Sequence, residues 1–290
     1  MTRLHDYQVR RFLTAGVIVG ALLWPATGKA QIGPSARALV LPFSVIVEAN
    51  VPGGEGAAFW LGEAAAILLA DELDARGAAA LSRADRLDAF SRLQLPMTPT
   101  LTRATMMRVA ELVGASELVI GEVRLGARMT VTTRVIAVDS ARQRPEIVEE
   151  GQGTQIYAVF ERIAARLVPG TEGAPHRPHL PLGAFEQYVK GLVAPTPAAQ
   201  ERFLEQARQQ APAADRVLLA LWDLYASQGA DAKALAAAQA VARTAPLDRQ
   251  ARFSSALSMI AMMSAGRPAR RPSTRTRTPA RSSRFRSLAT

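Results

Sequence analysis

The stretch Ala38-Leu39-Val40-Leu41-Pro42-Phe43 is a short apolar run bounded by a proline, the pattern of a buried strand. Gly53-Gly54-Glu55-Gly56 reads as a turn. Leu61, Ala65, Leu68, Leu69 and Leu73 then recur with helical spacing on one face, and Gly77 ends that helix. A second helix places Met106, Val109, Ala110 and Val113 together, with Gly114 just past its end. The runs "SELVIGEVRL" and "RMTVTTRVIAV" flank Gly126-Ala127, and the second is rich in β-branched residues, so the pair predicts a hairpin. "EIVEEGQ" predicts a third strand beside it. Ile156, Phe160, Ile163 and Leu167 form the stripe of a last helix. Strands and helices are interspersed, which predicts an α/β or α+β domain with one mixed sheet over residues 36–168.

The pattern changes at Val168. Residues 169–183 carry Pro169, Pro175, Pro178 and Pro181, which breaks any continuous helix and predicts a linker. Few apolar residues are on hand to dock it, so the flanking domains are expected to be separable. Beyond it, residues 184–263 are alanine-rich and helical, and Pro212 and Pro246 lie 34 residues apart. That period, with Leu218, Leu221, Tyr225, Gly229, Ala234 and Leu235 at the intervening apolar, aromatic, glycine and small positions, resembles the tetratricopeptide repeat. Leu204, Ala207 and Pro212 fit the second helix of the preceding repeat; Tyr188 and Gly191 fit its first helix roughly. Trp222 stands where that family has glycine. The resemblance implies an all-α array of helical hairpins. Its concave face would bind a protein or peptide partner, with Arg216, Asp223 and Ser227 as the candidate partner-binding residues.

The first domain carries a resemblance of its own. "VLPF", two helices, "ELVIGEVRL" and "MTVTTRVIAVDSA" are similar to the amino-terminal domain of the Tol translocation protein B. They are also similar to related domains of curli-secretion and flagellar-assembly lipoproteins. Pro42 and Phe43, then Gly121, Glu122 and Val123, then Val138 and Asp139 occupy the family's early "PF" strand, its "G-x-V" strand and its strand ending in "V-D". The resemblance implies a non-catalytic interaction module of the cell envelope.

The net charge of +10 points to nucleic acid until it is located along the chain. Residues 264–290 hold eight arginines and no acid, and residues 1–30 hold Arg3, Arg10, Arg11 and Lys29 against Asp6. The remainder has 23 basic and 24 acidic residues, so no phosphate-tracking excess remains, and no nucleic-acid partner is expected. Residues 1–30 run from basic, through the apolar Phe12 to Trp24, to the small residues Gly28 and Ala30: the layout of a signal peptide. The apolar run of 13 residues is short of the ~20 that a spanning helix needs, so no stable membrane span is expected after cleavage. A third repeat is expected from Arg249, but its second helix falls on residues 266–279, with three prolines and no leucine, isoleucine or valine. Residues 264–290 are therefore expected to be disordered. The hypothesis that accounts for them is a shift of reading frame after about Met263, and translating the other two frames checks it: nearby stops in both would refute it.

No cysteine is present, which excludes disulfides, thiol catalysis, cysteine-based zinc sites and lipidation through cysteine. No Walker loop, dinucleotide-binding glycine motif, zinc-protease motif or nucleophile elbow occurs. Asp71 and Asp74 read as the polar edge of the first long helix. His176 and His179 read as a pair in an exposed loop rather than metal ligands. No catalytic residue, cofactor or metal is therefore assigned. The expected protein is an exported, periplasmic interaction or scaffolding protein of the bacterial envelope. A sensory or regulatory module is the alternative and a hydrolase the third class. Amino-terminal sequencing of the exported protein is expected to begin at Gln31, after cleavage at Ala30; a mature protein that keeps Phe12 to Trp24 would overturn this.

Overall fold

The computed structural model describes residues 31–33, 36–51, 53–96, 101–171, 178–241 and 257. The expected signal segment with Ala30, residue His176, nearly all of the expected third repeat and the basic tail lie outside the described residues.

The strand expected at Ala38–Phe43 ends at Val40, and a second strand that was not expected follows the run. Strand β1 (Arg37–Val40) and strand β2 (Ser44–Val47) both lie parallel to β4 (Glu117–Leu125), but the register slips by one between them. Val40 pairs with Val119 and Ser44 with Glu122, so Pro42 and Phe43 together oppose Gly121, a β-bulge. The pleat points Ala38 and Val40 into one core and Leu39 and Leu41 into the other, and the slip puts Phe43 into the first, where strict alternation would put it in the second.

The bulge seats the first long helix. The amide of Phe43 donates to the carbonyl of Gly62 at 3.0 Å, at the start of helix α2 (Leu61–Ala75). A Cβ on Gly62 would lie 2.3 Å from the Phe43 carbonyl oxygen, so only glycine allows this approach. The turn expected at Gly53–Gly56 is corrected in part. Gly53 and Gly54 do take left-handed angles (φ 82 and 52), but Gly54–Ala58 already winds into the short helix α1.

Gly77 (φ +81) ends α2, and β3 (Ala79–Ala80) pairs with β1. Helix α3 (Arg83–Arg92), not among the expected elements, starts at a capping box formed by Ser82 and Asp85. Helix α4 (Arg103–Leu112) is capped by Thr102, and Gly114 leaves it with φ +65. Strands β4 and β5 (Met129–Ala137) make the expected antiparallel hairpin, β6 (Ile147–Gly151) pairs with β5, and helix α5 (Ile156–Leu167) follows. The six-stranded sheet has the order β3-β1-β4-β5-β6, with β2 also on β4: mixed, as expected. Helices α2 and α5 cover one face, over Val119, Val123, Val131 and Val135. Helices α3 and α4 cover the Leu39, Leu118 and Ile136 end of the other.

Four further helices follow: α6 (Leu182–Val193), α7 (Pro197–Gln210), α8 (Asp215–Ser227) and α9 (Asp231–Gln239). Short loops fold them into two hairpins. A Cβ on Gly191 would lie 2.6 Å from Leu204 Cγ, so that glycine sets how closely α6 meets α7; Gly229 (φ +69) makes the turn between α8 and α9. Leu204, Ala207, Val217, Leu221, Leu224, Tyr225, Ala234 and Ala237 form the core of this array, and Trp222 packs against it. No helix among the described residues is long and apolar enough to cross a membrane.

The close contacts at Gly121 make a test. A Cβ there would lie 2.2 Å from Phe43 Cε2 and 2.5 Å from the Thr132 carbonyl oxygen. Gly121→Ala is expected to destabilise the protein by about 1–3 kcal/mol in urea unfolding, because the Phe43 ring is wedged edge-on to Phe160. Gly153→Ala, where the added methyl meets nothing within 4 Å, serves as the control.

Candidate functional site

The apolar side chains of α6 decide how the helical array sits. Phe185 and Val189 are buried in the core of the α/β domain, and Leu180 and Leu182 pack against it. Phe185 meets Trp60 edge-on at 6.4 Å and tilts against Tyr157 at 5.7 Å. The end of the proline-rich segment is therefore docked, and the expectation that too few apolar residues were available to dock it is corrected. Helix α6 also opens at Leu182, inside that segment.

Charges lock the same junction. Glu63, 5% exposed in the first turn of α2, accepts from Arg83 Nε at 2.8 Å and from Arg86 Nη2. Arg86 also donates to the Val40 carbonyl at 3.0 Å, and Arg83 to the Leu192 carbonyl at the end of α6 at 3.0 Å. One carboxylate thus ties α2, α3, β1 and α6. Burial lowers the pKa of Arg86, and the neighbouring Glu63 carboxylate opposes that shift. A buried pair of this kind is costly to break from one side, because the partner is left as an uncompensated charge.

A cleft of about 360 Å³ opens where the array meets the domain. Leu68, Asp71 and Glu72 of α2 form one wall, Tyr157 and His179 another, and Asp215 and Arg216 of α8 a third. The His179 ring stacks on Tyr157 at 4.3 Å, and its Nε2 lies 3.6 Å from Glu72 Oε1. The Tyr157 hydroxyl donates to the Leu180 carbonyl at 2.7 Å. Burial pushes the Tyr157 hydroxyl up to about 12, with Arg216 acting against it. Such a group stays protonated at neutral pH and is poorly suited as a general base. Among the described residues, no three histidine, aspartate or glutamate side chains gather to hold a metal ion.

The three candidate partner-binding residues share one face of α8 but not one environment. Arg216 is half-buried and engaged: it pairs with Asp71 at 2.8 Å and lies 6.0 Å over the Tyr188 ring. Burial works against its charge, but Asp71 and Tyr188 outweigh that, so its pKa is raised. Asp223 and Ser227 are exposed, and the Ser227 hydroxyl donates to the Leu224 carbonyl at 2.7 Å. Tyr225 reaches back to Glu205 at 2.9 Å and Glu201 at 3.1 Å, and Lys233 joins Glu201 at 3.0 Å, which fixes α7, α8 and α9 to one another. Asp71, read from sequence as part of a polar helix edge, is the acceptor that anchors α8. No local signal links residues 145 positions apart.

No protein-family model and no curated protein matches the chain. Among solved structures it is similar to the LpoB C-terminal domain from Salmonella enterica, at 15% identity over 42% of this chain and 85% of that one, with a TM-score of 0.32. It is similar to the PelC dodecamer from Paraburkholderia phytofirmans, at 14% identity over 49% and 94%, with a TM-score of 0.30. Lipoprotein GNA1162 from Neisseria meningitidis shows 16% identity over 44% and 96%, with a TM-score of 0.30.

The two ion pairs predict costs of very different size. Glu63→Gln is expected to cost about 3–5 kcal/mol, since it strands two arginines, one of them buried. Asp71→Asn breaks a pair whose members are each about a quarter exposed, and is expected to cost under about 1 kcal/mol. Equilibrium unfolding of both variants measures the difference; equal costs would refute this account.

Proposed function

We propose that this protein is an exported, non-catalytic interaction or scaffolding module of the bacterial cell envelope. Its α/β domain is of the Tol-protein-B type, and its helical hairpins form a short tetratricopeptide-like array that engages a protein or peptide partner in the periplasm. The observation that carries this reading is the rooting of the array. Phe185 and Val189 belong to the core of the α/β domain, and Arg216 is held by Asp71. The array is thereby held in one orientation, and the outer face of α8 with Asp223 and Ser227 remains to meet a partner. A fixed presenting surface lowers the ordering cost of binding. The engagement of Arg216 narrows the candidate set to Asp223 and Ser227 and makes Arg216 a support for them. The Pro212–Pro246 period, the turn at Gly229 and the small Gly191 at the helix contact favour the tetratricopeptide reading of the hairpins.

Site-specific cross-linking in the producing cell tests it. A photo-reactive phenylalanine analogue in place of Asp223 or Ser227 is expected to give a discrete protein adduct in the periplasmic fraction. The same analogue in place of Asp88, exposed on α3, is expected to give none. Protein confined to the cytosol, or no adduct from either α8 position, would sink the proposal.

A further inference from the structure

The two long edges of the sheet are treated differently. On β6, Arg162 donates to the Glu150 carbonyl at 2.7 Å and Arg166 to the Val148 carbonyl at 3.1 Å. Glu149 holds both arginines, at 2.9 Å each. Their hydrogen bonds hold the Glu149 carboxyl below its usual pKa, although burial acts the other way. Alternate carbonyls of this edge are thus occupied by side chains of α5, so an incoming strand finds its acceptors taken. Natural sheets commonly shield exposed edges in such ways.

The β2 edge is met at its start, where the Gly62 carbonyl takes the outward amide of Phe43, and helix α1 lies near β2, but no side chain occupies its backbone groups further along as on β6. In a parallel ladder, one residue turns both its N–H and its C=O to the neighbouring strand and the next turns both away. Glu48 donates to the Leu125 carbonyl at 2.9 Å, which sets Ser44, Ile46 and Glu48 toward β4 and leaves Val45 and Val47 facing outward. No hydrogen bond to those outward groups forms among the described residues. The edge opens on a groove of about 450 Å³ whose apolar wall includes Phe59, Leu101, Met106, Ile120 and Val193. Phe59 in the groove is 47% exposed, and Ile46 on β2 is 38% exposed. The charges at the rim are already matched: Arg124 with Glu122 and Arg134 with Glu146, each at 3.1 Å.

We propose that the β2 edge receives a short extended segment of a partner protein, added as a strand beside Val45 and Val47, with an apolar side chain in the groove of Phe59 and Met106. A strand is the occupant because backbone donors and acceptors at alternate residues are what the edge presents, and only an extended chain matches that repeat. The segment is uncharged at its centre because the rim leaves no net charge to match. This site lies on the sheet rather than on α8. Cross-linking at Asp223 and Ser227 reads the array, so either proposal can fail alone.

The test uses the mature chain labelled with nitrogen-15 and a synthetic hexapeptide that alternates threonine with valine or phenylalanine. Titration is expected to shift the Val45 and Val47 amides and to slow their hydrogen exchange. A peptide N-methylated on the backbone of alternate residues, with the same side chains, is expected to bind at least tenfold more weakly. Val45→Pro removes an outward donor without touching the ladder to β4 and is expected to weaken binding similarly while the far-ultraviolet spectrum is kept. Unchanged Val45 and Val47 amides, or equal binding of the N-methylated peptide, would overturn the proposal. So would amides already protected in the peptide-free monomer, or protected by a concentration-dependent dimer, since a second copy would then be the occupant.

Discussion

The contact on which the structure turns is that between Phe43 and two glycines. Its ring lies over Gly121 and its carbonyl against Gly62. The ring reaches Phe160 of α5, and its amide bonds to the start of α2. One bulged residue thereby sets the distance from sheet to α2 and from sheet to α5. Closely packed interiors transmit such a constraint, because a shift of a single methyl group has no void to absorb it. The placement of Glu63, one residue beyond Gly62, follows directly, and with it the arginine clamp that reaches α6.

Burial separates the charges of this protein into two classes. Glu63, Arg86 and Glu117 are inside and matched; their ion pairs organise the fold because the alternative is an unpaired charge in a low-dielectric interior. Burial raises the Glu117 pKa and the guanidinium of Arg144 opposes it, so even this carboxylate at the start of β4 depends on one partner. The pairs of Arg92 with Asp88 and Arg128 with Glu150 lie on the surface, where water competes with each contact. The Arg216–Asp71 bond lies between these classes. Its position at the domain–array junction makes it a matter of orientation more than of stability.

Much of the fold was legible because it is written locally. Helical spacing from Leu61 to Leu73, glycines at 77, 114 and 229, and β-branched runs around Gly126 each signal through residues close in sequence. Helix α3 is signalled locally only by Ser82 and Asp85, because its apolar face is sparse: only Ala89 and Phe90 carry it among buried hydrophobics. The break at Pro42 was not legible in the same way. A bulge is a relation between two strands, and a proline at the end of an apolar run marks a boundary without showing that the strand resumes at Ser44 one register on.

The sequence by itself determined the mixed sheet, the helical second half, the turns and the segregation of charge toward the ends of the chain, since each depends on local periodicity, backbone permission or composition. Only the tertiary structure decided that α6 belongs to the first core, that Arg216 is an anchor, that Glu63 is the hub of a clamp, and that one sheet edge is closed while the other is open. These are contacts between residues tens to more than a hundred positions apart, such as Arg83 with Leu192 and Arg216 with Asp71. Whether a charge is free or engaged depends on what the folded chain brings within 3 Å of it, and one-dimensional spacing carries no record of that distance.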